Sequence, residues 1–580
     1  MAPMSMTTLS EGLGQLPRFQ KRSFVPEGAD LSLRDQVVGL FEKLRVRPVT
    51  SSNELEQWLM DRSELEAALD QVGSVLYIRM TCQTDNETFA EEYKKFIEVV
   101  IPAVKPLDDQ LNQRHLTLRQ QFILNKKRYE VYDRTITSDV ELFRKENVPL
   151  HTQVQLLSQE YQTVCGAMSV PFQGEDMTMP QVSKFLQEPD RALRESAWRA
   201  MTGRRLQDRE RLDELFDKML KLRHTIALNA GVANFCEYQF HAYHRFDYTP
   251  QDCKKYHDSV AQLVVPVYKK ILDRRKADMG VPALRPWDTQ VDPRGRPALK
   301  PFVEVETLIE GTGRIFSQLD PELGTQFQEM SELGLLDLAS RKGKAPGGYQ
   351  NTLAEARKPF IFMNAVGVDD DVRTLLHEGG HAFHALAAAA DPLYPYRHAP
   401  MEFCEVASMS MELLGNGYLE TFYSAEDCVR SCQSHLEDVI HLLAWVATID
   451  AFQHWIYEHP DHTGKERSEA WMRIYGRFGG DFLDWAGLED ILRSLWQRQL
   501  HIFEVPFYYI EYGIAQLGAL QLWLNARQDQ QKALGQYRAA LALGGSRPLP
   551  ELFQAAGLRF DFSAETIGPL VAAAEKELGL

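Results

Sequence analysis

Long stretches of this chain place apolar residues three and four positions apart, the spacing that lines one face of an α-helix. Such patterns recur at 106–146, 189–231 and 425–458. Few segments alternate with the period of two that a half-buried strand requires, so the pattern predicts a mainly α protein. At 580 residues the chain exceeds what one hydrophobic core serves, and two helical lobes are expected. A division into an N-terminal helical region, 1–185, and a second region, 186–580, fits the pattern. A Pro- and Gly-rich stretch from Gly280 to Phe302 interrupts the helices and predicts a long irregular connection. One run, ARKPFIFMN, is β-prone, and Pro359 near its start suits an edge strand. Phe360, Ile361, Phe362, Met363 and Asn364 are therefore expected on an exposed edge, where an extended peptide can add by main-chain hydrogen bonds. The loop just before it, with Gly347 and Gly348, reads as a mobile cover over substrate or as a plain surface turn.

The most specific chemistry sits in DDDVRTLLHEGGHAFHALAAAA, whose residues mostly favour a helix. His377 and His381 are four apart and share one helical face, so both rings can reach one tetrahedral zinc at about 2.0–2.1 Å. Glu378 is then the natural general base, placed to take a proton from a water whose pKa a zinc ion lowers to about 7. An HExxH run also occurs by chance as a solvated helix turn. Gly379 and Gly380 argue against that, because each costs about 1 kcal/mol in a helix interior and is useful only where something packs close. One of Asp369, Asp370 and Asp371 is expected to cap the helix, where a carboxylate meets free amide donors.

A third protein ligand must come from elsewhere. His384 projects beyond the second histidine along the axis and is expected to pack rather than ligate. Downstream, MEFCEVASMSMELLGNGYLE reads as a second helix with Glu402, Glu405 and Glu412 among apolar residues, where a carboxylate is costly unless paired or metal-bound. Glu405, flanked by Val406, Ala407 and Ser408, is the preferred ligand and Glu402 the alternative. Glu412 is expected to accept a hydrogen bond from a ligand histidine. The bland alternative for all three is an ordinary amphipathic helix.

Farther on, HIFEVPFYYIEYGIAQLGALQLW places Tyr508 and Tyr512 four apart on an expected helical face, with Tyr509 about a quarter-turn away. Phenol donors aimed at a metal can stabilise an oxyanion, an effect often worth about 3–4 kcal/mol per donor. An aromatic core stripe has the same spacing.

A net charge of −17 argues against a general nucleic-acid binder. No apolar run is read as a membrane span, the start lacks the apolar core of a signal peptide, and a cytoplasmic location is expected. Seven cysteines with no CxxC pair suit reduced thiols. Cys428, Cys432 and His435 fall at helical spacing but lack a nearby fourth ligand.

The run GKAPGGYQNTLAEARKPFIFMNAVGVDDDVRTLLHEGGHAFHALA, with CEVASMSMELL and the tyrosine block, resembles the M3 family of zinc metallopeptidases, in particular its oligoendopeptidase F branch. The resemblance covers roughly 190 to 575, which makes 186–580 the expected catalytic region. It implies one zinc per chain on His377, His381 and Glu405, and a role for His501, Tyr508 and Tyr512 at the oxyanion, with Tyr509 assigned to substrate contact. It further implies two helical lobes enclosing a deep substrate channel, a small β-sheet whose edge borders the active site, and hydrolysis inside short unfolded peptides. The rival expectations are a zinc carboxypeptidase of similar helical fold, a non-catalytic peptide-binding scaffold and an amidase for non-peptide substrates. Oligomeric state stays open at this stage.

Overall fold

In a computed structural model the described residues are Leu13 and 16–580; most of the opening segment, on which the signal-peptide reading rests, lies outside them. The protein is mainly α, as its periodicity predicts. It divides into two compact units that interleave along the chain, one from 1–141, 299–431 and 518–560, the other from 142–298, 432–517 and 561–580.

The first unit opens with the helices Arg34–Val46, Ser52–Cys82 and Ile101–Gln121, followed by Lys126–Leu142. Their apolar faces meet around Phe41, Leu44, Trp58 and Leu111, and the Trp58 indole donates to the Leu44 carbonyl at 2.9 Å. The pattern at 106–146 thus resolves into two helices. They break at 122–125, where the Asn125 side chain accepts from the Arg128 amide and starts the second.

The same unit holds a three-stranded sheet of Leu336–Ala339, Lys358–Ala365 and Tyr349–Leu353, in that spatial order. Lys358–Ala365 pairs parallel with the first and antiparallel with the last. The expectation of an edge strand at Phe360–Asn364 is therefore corrected: this strand is central. Phe360, Ile361, Phe362 and Met363 are all buried, and covered faces explain why the run is continuously apolar rather than alternating. Pro359 is tolerated because it stands second in the strand, where the ladder begins. The edges are Leu336–Ala339 and, after the glycine-rich loop, Tyr349–Leu353.

The loop before that edge is held at several points. Gly343 accepts from the Thr84 amide, the Ala345 amide donates to Thr81, and Asn364 Nδ2 reaches the carbonyls of Ala345 and Gly347 at 2.8 and 2.9 Å. The Lys344 ammonium is bound by the Asp337 carboxylate and by the carbonyls of Asp337, Ala339 and Met363. Of this segment Pro346, Gly347 and Gly348 are exposed, leading directly into the edge strand.

The second unit contains Arg191–Gln207 and Arg209–Ala230, which share the pattern at 189–231 and stop at Gly231, whose φ of 86° only glycine adopts cheaply. Helix Pro250–Met279 starts on a Thr249/Asp252 capping box. Residues 280–302 carry no regular helix beyond the short turn Pro286–Asp288, as the Pro/Gly content predicts. Helix Ala425–Glu458 spans its whole predicted pattern. It contains an 18-residue window of mean hydropathy 1.2, apolar enough by length and composition for a membrane span, which corrects the expectation that no run qualifies. That window is 72% buried, and residues 432–458 serve the core of the second unit.

Candidate active site

The HExxH residues lie on helix Asp369–Ala388, and its start shows why the three aspartates are there. The Asp371 carboxylate accepts from the amides of Val366, Gly367 and Val368 at 2.8–2.9 Å, so it is the expected capping residue. The helix packs against Met401–Gly415, which carries the three glutamates. Gly380 of HEGGH lies at this close packing, and Gly379 at the contact with helix Val305–Leu319. A Cβ on Gly380 would stand 2.6 Å from the Ala407 carbonyl oxygen and from Ser408 Cα, and one on Gly379 would stand 2.5 Å from the Phe316 ring. Neither position admits a side chain without moving a neighbour, and at Gly380 the neighbour is backbone. The two helices approach closely enough for side chains on both to share one point.

That point is defined by three atoms. His377 Nε2 lies 3.4 Å and His381 Nε2 3.7 Å from Glu405 Oε2, and all three donor atoms fall within 4.8 Å of one another. Ligands at 2.0–2.1 Å around a tetrahedral ion are separated by about 3.3–3.4 Å, so the set fits a metal with one further position for water. The remaining atoms are arranged to serve it. His377 Nδ1 sits 2.6 Å from Glu412 Oε1, which favours a proton on Nδ1 and leaves the Nε2 lone pair free. Ser408 Oγ donates to Glu405 Oε2 at 3.1 Å and fixes its rotamer. Glu402 is buried on the same helix but is not part of the three-atom set. His384 is buried edge-on to Phe403, the packing role expected of it.

Electrostatics divide the carboxylates by role. Burial pushes Glu378 up to about 7, opposed by His377 and reinforced by Glu405, while the Gln350 amide of the edge strand donates to it. Burial also raises Glu405, but His377 and His381 outweigh it and hold the carboxylate below the usual range. His381 is drawn down to about 4, chiefly by burial. Burial alone would lower His377, but Glu405 and Glu412 outweigh it and hold this histidine well above the usual range, so a metal bound here displaces its proton.

The tyrosine block falls in the second unit. Its expected continuous helical face is corrected: residues 506–509 form a turn before helix Ile510–Gln528, because Phe507 adopts φ 67°. That strained backbone is held from both sides, its amide donating to Gln453 Oε1 and its carbonyl accepting from Arg245, each at 2.7 Å. The turn gathers the aromatics. The His501 ring lies 4.8 Å from Tyr509 and 6.2 Å from both Tyr508 and Tyr512, while Tyr508 and Tyr512 are 5.5 Å apart. His501 Nδ1 bonds Gln499 at 2.7 Å, and burial draws this histidine down to about 4, a neutral ring.

A second group of metal-type donors, Cys253, Asp450 and His454, is not anticipated from the sequence. Its only local signal is a pair of four-residue spacings, Cys253 to His257 and Asp450 to His454, each on a helix whose pattern otherwise reads as core.

A family model described as peptidase family M3 matches residues 184–568, and one described as the peptidase M3 N-terminal domain matches 35–143. An oligoendopeptidase F homolog of Borreliella burgdorferi is 22% identical over 458 residues, 73% of each chain. Oligopeptidase PepF of Bacillus subtilis is 21% identical over 476 residues, 76% of this chain and 67% of that one. Among solved structures, Pz peptidase A with an inhibitor superposes with a TM-score of 0.84 and 29% identity, covering 97% of this chain and 98% of the other.

Proposed function

The chain belongs to peptidase family M3, in its oligoendopeptidase F branch, and on that footing we propose that it is a zinc-dependent endopeptidase cutting internal bonds of short, unfolded peptides. The observation that carries this is the convergence of His377 Nε2, His381 Nε2 and Glu405 Oε2 beside the buried Glu378. A divalent ion held there, zinc by the N,N,O donor set, would polarise a scissile carbonyl and make a bound water acidic near neutral pH. With the ion bound, Glu378 would take a proton from the attacking water and hand it to the leaving amine. Its burial beside the donor cluster places Glu378 to serve both transfers. Glu412 keeps the His377 ring turned towards the donor cluster.

Substrate orientation is assigned to the edge strand Tyr349–Leu353. It is an outer strand of the sheet, reached past the exposed Gly347 and Gly348, and an added peptide strand would pair with the outward backbone groups that Glu378 and Ser74 leave open. Main-chain recognition of this kind makes little demand on substrate sequence but requires an extended chain. His501, Tyr508 and Tyr512 are proposed, from the family resemblance, as donors to the oxyanion, with Tyr509 beside the substrate.

The test is mass-spectrometric mapping of cuts in a peptide library that includes C-terminally amidated members, using wild type, chelator-treated protein and Glu378→Gln. Internal cuts should appear in amidated and free peptides alike. The Glu378→Gln variant should lose about 10²–10⁴-fold in kcat while keeping its metal. Trimming confined to free C-termini would mean a carboxypeptidase, and binding without cuts a scaffold.

A further inference from the structure

The second unit contains a donor cluster that the proposed reaction does not use. Helix Pro250–Met279 places Cys253 and His257 four apart on one face, and helix Ala425–Glu458 does the same with Asp450 and His454. Cys253 and Asp450 have no exposed surface, and His257 and His454 almost none. The Cys253 sulfur, an Asp450 carboxylate oxygen and a His454 ring nitrogen all lie within 4.8 Å of one another.

The atoms around them leave a gap of a particular kind. His257 Nε2 bonds Asp450 Oδ2 at 2.7 Å, which orients the carboxylate and leaves its other oxygen, Oδ1, without a partner. Cys236 Sγ lies 3.7 Å from His454 Nδ1, which accounts for one ring nitrogen. His454 Nε2, the other, stands 3.3 Å from Asp450 Oδ2 and makes no hydrogen bond. Asp450 Oδ1 and His454 Nε2 are thus fully buried without a hydrogen-bond partner, an unfavourable state for polar atoms in a core. An Asp450–His454 ion pair, with Cys253 beside the ring, satisfies the charge but leaves Oδ1 without a partner. One cation bonded to the Cys253 sulfur, a His454 ring nitrogen and an Asp450 carboxylate oxygen engages all three groups at once; the Asp450 oxygen nearest His454 Nε2 is Oδ2, at 3.3 Å, the one that His257 also bonds.

We propose that Cys253, Asp450 and His454 form a second metal site in this chain, for a borderline-soft divalent transition ion, zinc foremost. Thiolate and imidazole donors disfavour magnesium and calcium. The fourth position falls to a small ligand such as water. His257 and Cys236 orient the carboxylate and the imidazole from behind, as partners of ligands do at built metal sites. With its donors sealed from solvent, the ion fastens the two helices rather than taking part in hydrolysis.

The experiment uses the full chain with His377→Ala and His381→Ala, which removes the proposed catalytic ion, titrated with Co²⁺ from the metal-free state. The expected result is one tightly bound equivalent with a thiolate-to-cobalt charge-transfer band in the near ultraviolet. Adding Cys253→Ser should abolish that band, whereas adding Cys236→Ser should leave it in place. Absence of bound cobalt, or binding without the thiolate band, would overturn the proposal. Where Cys253→Ser fails to fold, ¹¹³Cd NMR of the double variant reads the ligands directly: a thiolate-range shift supports the site, and a shift typical of oxygen and nitrogen ligands alone overturns it. This outcome is independent of whether wild type cleaves peptides.

Discussion

Among the described residues two groups of three metal-type donors, each drawn from two neighbouring helices, converge on one point, and they differ in access. At His377, His381 and Glu405 the histidine side chains keep 23% and 17% of their surface, and the donors stand apart at the spacing a metal sets. At Cys253, Asp450 and His454 the side chains are sealed and a thiol joins the set. A hydrolytic centre must leave one position to water and substrate, whereas an ion used to fasten helices works best enclosed. The contrast also extends to how close approach is achieved: the first pair of helices needs Gly380 against the backbone of Ala407 and Ser408, while the second pair contains no glycine.

The sharpest way to break this comparison is Glu405→Ala. The substitution removes the only carboxylate of the first donor set and should reduce peptide hydrolysis to the level of chelated enzyme. Metal analysis should show one equivalent lost and one kept. Loss of both equivalents together would mean that the two sites are not separate, and retained hydrolysis would displace Glu405 from the ligand set.

How much is legible in the sequence follows from how local each feature is. His377, Glu378 and His381 are fixed relative to one another by helix geometry, so spacing alone carries them. Glu405 and Glu412 are legible because a carboxylate set among apolar residues on the next helix has to be paired or metal-bound, and their placement at His377 bears that out. The run Phe360–Asn364 is recognisable as a strand but not as a central one, because its proline argues for an edge more strongly than its unbroken apolar character argues against. Position in a sheet depends on partners, Leu336–Ala339 and Tyr349–Leu353, that no local rule identifies. The turn at 506–509 is hidden for a related reason: a positive φ at Phe507 is imposed by Gln453 and Arg245, both remote in sequence. Asp450 carries the same signal, a carboxylate among apolar residues, but Cys253 reads as an ordinary core position and nothing local ties the two helices together.

A smaller effect should come from Glu412→Gln. The amide can still accept from His377 Nδ1 but no longer carries charge, so zinc affinity at the first site is expected to fall about 10–100-fold, with kcat restored at saturating metal. Competition against a chromophoric chelator measures this. An unchanged affinity would reduce Glu412 to a packing residue, and a change at the second cluster would contradict the separation of the two.

The smallest effect concerns pH, and it distinguishes the empty from the filled state of the enclosed cluster. Burial alone would lower His454, but Asp450 and the two cysteines hold it well above the ordinary histidine range. Burial alone would raise Asp450, but His454 and His257 hold it far below the carboxylate range. In metal-free protein the Asp450 contribution to stability is present above about pH 4 and is lost as pH falls towards its depressed folded value. The His454 contribution is complete below about pH 6.5 and is lost as pH rises through its elevated folded value. The stability advantage of metal-free protein over a His454→Asn variant should therefore be greatest between about pH 4 and 6.5 and shrink on the alkaline side. Burial also pushes the Cys253 thiol up to about 12, so an ion entering the cluster must displace protons from both groups and binds better as pH rises. Urea midpoints with and without zinc, in the background lacking His377 and His381, should consequently diverge with increasing pH: the metal-free advantage declines while the zinc increment grows. Parallel curves would mean that His454 and Asp450 serve only each other.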